Sequence, residues 1–580
     1  MPRRNLLAAA LFGAVLASLL PAAPASAEVV VETYYVPTVD GARVRVEVRR
    51  DKQFDPQPIL LTYSPYNSLA DSSPTNDGFA SRWVPKGYAR AVADVLGTRG
   101  STGCWDYGGP KEQQSGVDVV KFLAAQPWSN GNVGMIGVSY NGTTTNMIAA
   151  RGPDVPELKA IVSIAGISAW YGYAYYDGVR YFLNSRIPTD EGFDTPLAFD
   201  YGFGRTVPGD NPGMITERVV KCEDESLLHT QEGYSRSPDY DQFWLERDYV
   251  KDAAKFRAAT MIVHGWQDYN VKQDEGLRLY EALPVDDPET LDVTEGVPFK
   301  MLVMSQSAHA GAPGIALPLI DRFFDKTLKG IDTGIEDEPP VRTLGRTATT
   351  IDPEYRTETA WPPPGTGNVN LYLGRKFEPT GEPGWLKPTP QNTGGGWVHI
   401  NPGTISEELT LRDPLNREVA NVSGTSVRGH GYYSLYSESD PLARDVRIAG
   451  RTVFDVWANL SHPSQHLTPL LVEVLPNGSL NLVQRGFLNM DYRNGRAKAE
   501  PASGWQHGLV HFLPQDYTFT KGNRIGLILQ GSNTVWAVPG NPGTISYAMG
   551  KVNNVTSIGS FISLPVVNPP ADPAALFVTP

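Results

Sequence analysis

Two cysteines and nine histidines are all that 580 residues contain. So few thiols exclude a disulfide scaffold, and Cys104 and Cys222 stand without the His or Cys cluster that a structural zinc requires. Positive charge is also short. Fifty Lys and Arg against 63 Asp and Glu give a net charge of −13, or −15 without Arg3 and Arg4. That balance argues against a nucleic-acid partner and for a soluble acidic protein. The apolar run "LLAAALFGAVLASLL" (Leu6 to Leu20) stops at Pro21, short of the roughly 20 residues that a membrane-spanning helix needs. No short-period repeat suggests a propeller.

That run instead reads as the middle of an export signal. Arg3 and Arg4 precede it, and Ala25 and Ala27 offer a small-residue cleavage site that leaves Glu28 as the new N-terminus. A secreted protein is expected, with residues 1–27 removed and no membrane attachment afterwards. "RRNLL" is a loose match to the twin-arginine signal, and no cysteine near the cut offers a lipid anchor. In an oxidising compartment Cys104 and Cys222 are expected to pair.

The length exceeds what one core fills, so two or three domains are expected. Over residues 28–167 and 258–344, strand-like runs alternate with helical ones, the pattern of a mostly parallel sheet. "PILLTYSPY", "YARAVADVLG", "NVGMIGVS", "LKAIVSIAGI", "ATMIVHGW" and "FKMLVMSQS" supply the strands. "SGVDVVKFLAAQ" and "LIDRFFDKTLKG" supply helices. Residues 168–257 break the alternation with aromatic, polar segments and read as an inserted helical cap. From 345 to 580, short alternating runs are separated by Gly, Pro, Asn and Asp. Asn477-Gly478 between two of these runs signals a hairpin. This half reads as an all-β sandwich of jelly-roll type.

Chemistry concentrates at Gly137-Val138-Ser139, where a buried strand ends on a hydroxyl and a helix begins. A strand-to-helix corner of this kind lifts a nucleophile to the rim of the sheet. Serine then needs a base, and the base needs a carboxylate, in the chain order Ser, Asp or Glu, His. Asp268 follows one later strand and His309 follows the next. Asp274 and Asp252 suit surface positions better. His264 lies within its strand and reads as a hydrogen-bonded core residue, and His229 falls in the cap. The Tyr140 N–H and the Tyr66 hydroxyl are the candidate oxyanion donors.

"GVSYNG", "SPY" (Ser64 to Tyr66), "DVLGTRGSTG", "GWQD" and "FFDKTLKGID" together resemble the family that joins cocaine esterase, α-amino-acid ester hydrolases and X-prolyl dipeptidyl aminopeptidases. The resemblance covers nearly all of the chain after residue 27. It implies an α/β-hydrolase fold, a triad of Ser139, Asp268 and His309, and oxyanion donation from Tyr66. "AGISAWYGYAYY" is similar to the X-prolyl segment whose Trp and Tyr line the proline pocket, which implies Trp170 and Tyr173 as pocket walls. A free α-ammonium would need carboxylates, for which Asp177, Asp190 and Glu191 are candidates. The chain departs from the family's D-x-R-G, having Leu96 where arginine is usual, with Arg99 close behind. Any ion pair of that arginine is expected to be shifted or absent.

The expected activity is release of X-Pro dipeptides from peptide N-termini through an acyl-enzyme, without cofactor or metal. The alternative is a serine esterase or amidase acting on small acyl or α-amino-acid esters. A third reading takes Trp397, Trp457 and Trp536 as a carbohydrate platform, although packing explains them as well. The sequence leaves the oligomeric state open.

Overall fold

The structure is a computed structural model that describes residues 28–67, 73–181, 222, 237–268, 270–284, 299–309, 313–374, 383–390, 396–401, 434–533 and 536–578. The expected leader (1–27), Asp190, Glu191 and His229 lie outside these residues, as does the Trp397 side chain.

The first sheet has ten strands: β1 (Val29–Pro37), β2 (Arg43–Asp51), β3 (Gln57–Ser64), β4 (Ala89–Asp94), β5 (Ser129–Val138), β6 (Leu158–Ile164), β9 (Ala259–Gly265), β10 (Lys300–Ser305), β11 (Val341–Thr343) and β12 (Arg356–Glu358). Their order is β1-β2-β4-β3-β5-β6-β9-β10-β11-β12. From β4 to β11 neighbours run parallel, while β1, β2 and β12 join antiparallel. This is an α/β-hydrolase-like mixed sheet. The sequence boundary at 344/345 falls inside it, because β12 extends the sheet to Glu358.

Successive residues of the central strands feed opposite cores, as the strand period of two requires. Leu61, Met135, Ile161 and Ile262 face one side with Val117 and Leu123 of α2 (Pro110–Ala124) and Met147 of α3 (Tyr140–Ala149). Leu60, Ile136, Val162 and Val263 face the other, with Phe323 and Phe324 of the helix Pro313–Lys329 and Trp83 of α1 (Gly78–Trp83). Each such side chain, fully buried, contributes about 1.5–3 kcal/mol. Burial on both faces explains why these strands read as unbroken apolar runs.

Of the expected cap, the described residues include α4 (Trp170–Ala174), a hairpin of β7 (Tyr175–Tyr176) and β8 (Val179–Arg180), and α5 (Gln242–Leu245). Cys104 and Cys222 form a disulfide across a separation of 118 residues, joining the loop after β4 to this insertion.

The second domain is all-β: β13 (Thr366–Gly374), β14 (Gly384–Lys387), β15 (Gly396–Asn401), β16 (Ser434–Glu438), β17 (Val446–Gly450), β18 (Val453–Leu460), β19 (His466–Leu467), β20 (Leu470–Val474), β21 (Leu480–Asn489), β22 (Gly504–Phe512), β23 (Gln515–Phe519), β24 (Arg524–Gln530), β25 (Gly543–Ala548) and β26 (Phe561–Val567). The expected hairpin at Asn477-Gly478 joins β20 to β21, with Gly478 at a φ of 83°. A jelly-roll sandwich was the expectation from alternation alone. The pairing instead closes a ring of nine strands, β18-β22-β21-β20-β24-β16-β14-β13-β26, because β26 returns to pair with β18. Alternation marks strands but carries no information about which edges meet, so the closed barrel was not visible in it.

Buried Asp516 on β23 ties the second domain to the hydrolase sheet. Within its own domain it accepts Nε–H and Nη2–H of Arg447 on β17, each at 2.9 Å, and Arg356 on β12 crosses from the sheet with a bond at 3.2 Å. Asp516 also accepts from Thr343 on β11 at 3.1 Å.

Candidate active site

Ser139 sits between β5 and α3 at φ 62° and ψ −126°, a conformation that costs a non-glycine residue about 1–3 kcal/mol. The corner closes only because its neighbours are small. A Cβ on Gly137 would stand 2.3 Å from the Asn141 carbonyl oxygen, and one on Gly142 would stand 2.7 Å from that of Ile164. Hydrogen bonds then hold the turn: the Ser139 N–H donates to the Ile164 carbonyl, and the Thr143 N–H donates to the Ser139 carbonyl, both at 2.9 Å.

Asp268 follows the end of β9 and His309 follows β10. These strands are in register, Ser305 opposite Gly265, so both residues emerge at the same rim as Ser139. Ser139 Oγ lies 3.0 Å from His309 Nε2, and His309 Nδ1 lies 2.9 Å from Asp268 Oδ2. The three expected residues, far apart in sequence, are thus brought into one line. Asp268 is fully buried and its other oxygen accepts the N–H groups of Asn270 at 3.2 Å and Val271 at 3.0 Å. Burial by itself would raise this carboxyl. The hydrogen bonds from His264 and His309 outweigh it and hold the group below the usual carboxylate range.

His264 has a part that its sequence position did not disclose. It is a buried, hydrogen-bonded histidine as expected, but its Nε2 lies 2.9 Å from the Val271 carbonyl and 3.3 Å from Asp268 Oδ2. Asp268 Oδ2 therefore has two imidazoles within reach. The four-residue spacing of His264 and Asp268 across a strand end was the available signal.

The Tyr66 hydroxyl stands over the same corner. It accepts the Tyr140 N–H at 3.2 Å and donates to Ser139 Oγ at 3.4 Å. Burial, the largest influence on it, raises its pKa, so the phenol keeps its proton for donation. The loop carrying Tyr66 is fixed by Asn67, which donates to Asp94 Oδ1 at 2.7 Å. Asp94 is buried, with Arg99 Nη1 at 3.6 Å and Arg45 Nη1 at 3.7 Å. Leu96 carries no charge, and the guanidiniums beside Asp94 come from these two positions. Arg45 lies on β2, far away in the chain.

Trp170 and Tyr173 both lie on α4. Trp170 is fully buried, donates its indole N–H to the Tyr249 hydroxyl at 3.0 Å, and packs its ring 5.4 Å from that of Tyr140. Tyr173 is 4% exposed and its hydroxyl donates to Asn270 at 3.1 Å. Both stand behind the reacting groups, one against Tyr140 and the other against the Asp268 loop. Asp177 pairs with His511 of the barrel at 2.8 Å. Trp536 stacks on Tyr181 at 6.0 Å and Trp457 packs against His507 at 5.0 Å. Trp536, 6% exposed, is part of the interdomain packing. Among the described residues no group of His, Cys, Asp and Glu could hold a metal ion.

The arrangement is that of nucleophilic acyl transfer: a hydroxyl, a base that can take its proton, a carboxylate that orients the base, and two donors beside the hydroxyl. Residues 40–311 match the X-Pro dipeptidyl-peptidase (S15) family, and residues 333–553 match the X-Pro dipeptidyl-peptidase C-terminal non-catalytic domain. A Streptomyces avermitilis protein carrying the name "Putative Xaa-Pro dipeptidyl-peptidase" is 30% identical over 481 residues, covering 75% of this chain and 62% of its own length. The chain thus spans under two thirds of that relative. A Rhodococcus cocaine esterase is 25% identical over 544 residues, covering 86% and 90% of the two chains. In fold, the chain is similar to a CocE/NonD family hydrolase of Staphylococcus aureus, with a TM-score of 0.71 at 15% identity, covering 93% and 94% of the two chains.

Proposed function

The chain belongs to the X-Pro dipeptidyl-peptidase (S15) family of serine hydrolases, and from that premise we propose that it is a secreted peptidase releasing X-Pro dipeptides from peptide N-termini. The observation that carries this reading is the line from Ser139 Oγ through His309 to Asp268, at 3.0 and 2.9 Å, with the Tyr66 hydroxyl beside it.

In the proposed reaction Ser139 Oγ attacks the prolyl carbonyl carbon while His309 Nε2 takes the hydroxyl proton. Asp268 holds the imidazole in the tautomer that can accept it and offsets the charge that forms. The oxyanion is held by the Tyr66 hydroxyl and the Tyr140 N–H. The C–N bond then breaks, the amine leaves with the proton from His309, and water attacks the acyl-enzyme by the same route. Trp170 and Tyr173 are proposed to shape the proline pocket, an assignment that rests on the resemblance of their segment. The Cys104–Cys222 disulfide supports an oxidising compartment and so the export reading of residues 1–27.

The second reading, an esterase on small acyl or α-amino-acid esters, is favoured by the similarity to cocaine esterase along most of both chains. Purified enzyme assayed on a Gly-Pro anilide, an Ala-Ala anilide and a benzoate ester separates the two. Turnover of the Gly-Pro anilide well above the others is expected, and Ser139→Ala should abolish it. Rapid ester hydrolysis with an intact dipeptide anilide would overturn the peptidase assignment.

A further inference from the structure

Glu112 is a fully buried acid to which the acyl-transfer scheme gives no part. It lies in the first turn of α2, and among the described residues no lysine or arginine forms an ion pair with it. Its neighbours are neutral donors. The Tyr140 hydroxyl donates to both of its oxygens, at 2.8 and 2.9 Å, and the Gly108 N–H donates to Oε2 at 2.8 Å. Tyr140 in turn accepts the indole N–H of Trp105 at 2.9 Å. The phenol is therefore held at its far end by an acceptor and a donor.

Tyr140 also carries the backbone N–H proposed as the second oxyanion donor, which in the resting structure donates to the Tyr66 hydroxyl at 3.2 Å. The Ser139–Tyr140 peptide is held at its carbonyl by the Gly142 and Thr143 N–H groups, both at 2.9 Å. The buried side chain adds a second hold, at the Tyr140 end. It ties the first residue of α3 to the first turn of α2 through a rigid ring. We propose that Glu112 is a positioning residue for the oxyanion hole, acting through the Tyr140 phenol on the direction of the Tyr140 N–H. A carboxylate suits this task because its two oxygens accept from the phenol and from Gly108 together. An amide that keeps its oxygen on Gly108 would turn an N–H toward the Tyr140 oxygen, which already accepts the Trp105 indole N–H, and so would reorient the phenol.

The inference rests on the proposed triad but not on the choice between peptide and ester substrates. Its test uses an alkyl fluorophosphonate. Ser139 Oγ forms a bond to phosphorus, fluoride leaves, the hydroxyl proton passes to His309, and the phosphoryl oxygen occupies the oxyanion hole. The second-order labelling rate is measured for wild type, Glu112→Gln, Tyr140→Phe and the double variant, with urea midpoints alongside. Each single variant should label at least about tenfold slower, up to the 10²–10³-fold loss associated with removing a whole donor. The double variant should be no slower than the worse single, because both changes break one linkage.

Labelling of either single variant at the wild-type rate overturns the proposal. So do losses that multiply in the double variant, which would show independent action. If Glu112→Gln does not fold, Tyr140→Phe decides alone: slow labelling at an unchanged midpoint supports the linkage, and wild-type labelling overturns it. Ser139→Ala separates the premises. Labelling there would overturn the triad itself, whereas an unlabelled Ser139→Ala beside a fast Glu112→Gln overturns only the role of Glu112.

Discussion

Asp268 and Asp516 are both fully buried aspartates, and the company each keeps is different. Asp516 meets the guanidiniums of Arg447 and Arg356, cations that hold their charge at any pH a protein survives. Asp268 meets two imidazoles and two backbone N–H groups. A buried carboxylate matched to permanent cations is satisfied in the resting molecule and serves as a clamp. One matched to an uncharged imidazole has attraction in reserve, which becomes available when His309 takes a proton. Glu112 adds a third setting. Its donors are neutral and burial dominates, pushing its carboxyl up to about 7. The partners, more than the depth, decide whether a buried acid holds the fold together or takes part in chemistry.

The largest effect that should separate the two aspartates comes from Asp268→Asn. Losing the acceptor for His309 Nδ1–H favours the wrong tautomer, and kcat should fall by about 10⁴-fold, with the denaturation midpoint little altered. Steady-state kinetics beside a urea titration checks both halves. Asp516→Ala should do the reverse. It removes the shared acceptor of Arg447, Arg356 and Thr343, leaving Arg447 only Glu358, so the urea midpoint should fall clearly while kcat per folded molecule changes less than tenfold. If instead Asp516→Ala stops turnover in folded enzyme, the division between clamp and chemistry is wrong.

Tyr66→Phe removes one oxyanion donor without opening a cavity, and kcat should drop by about 10²–10³-fold at nearly constant KM. The smallest effect concerns pH. Glu112 has a folded pKa of about 7 against an ordinary 4.5, so over that window the folded chain holds a proton that the unfolded chain has lost. Its contribution to stability is therefore full below about pH 4.5 and falls away as pH rises through 7, by up to roughly 3 kcal/mol. Thermal midpoints of Glu112→Gln should decline less between pH 5 and 8 than those of wild type. Parallel declines would show that this carboxyl is not raised.

The same division explains what could be read in advance. Strands buried on both faces announce themselves as apolar runs, and the corner at Ser139 is written in adjacent letters, so the sheet and the triad were legible. Asp268 and His309 followed from chain order. What stayed hidden depends on approach in space. Arg45 reaching Asp94 from β2 and β26 closing on β18 leave no local pattern, and His264 beside Asp268 left only a four-residue spacing. Glu112 was hidden for a related reason: a glutamate in a first helical turn is ordinary in sequence, and only its position beneath Tyr140 gives it meaning.

The bridge between Cys104 and Cys222 encloses Ser139 within the length of chain it spans. A single nick anywhere between those two cysteines would leave one covalent molecule, with the nucleophile still attached to both fragments. On a gel the cut would show only after reduction. That connectivity turns damage in the intervening segment into a scar that does not separate the pieces.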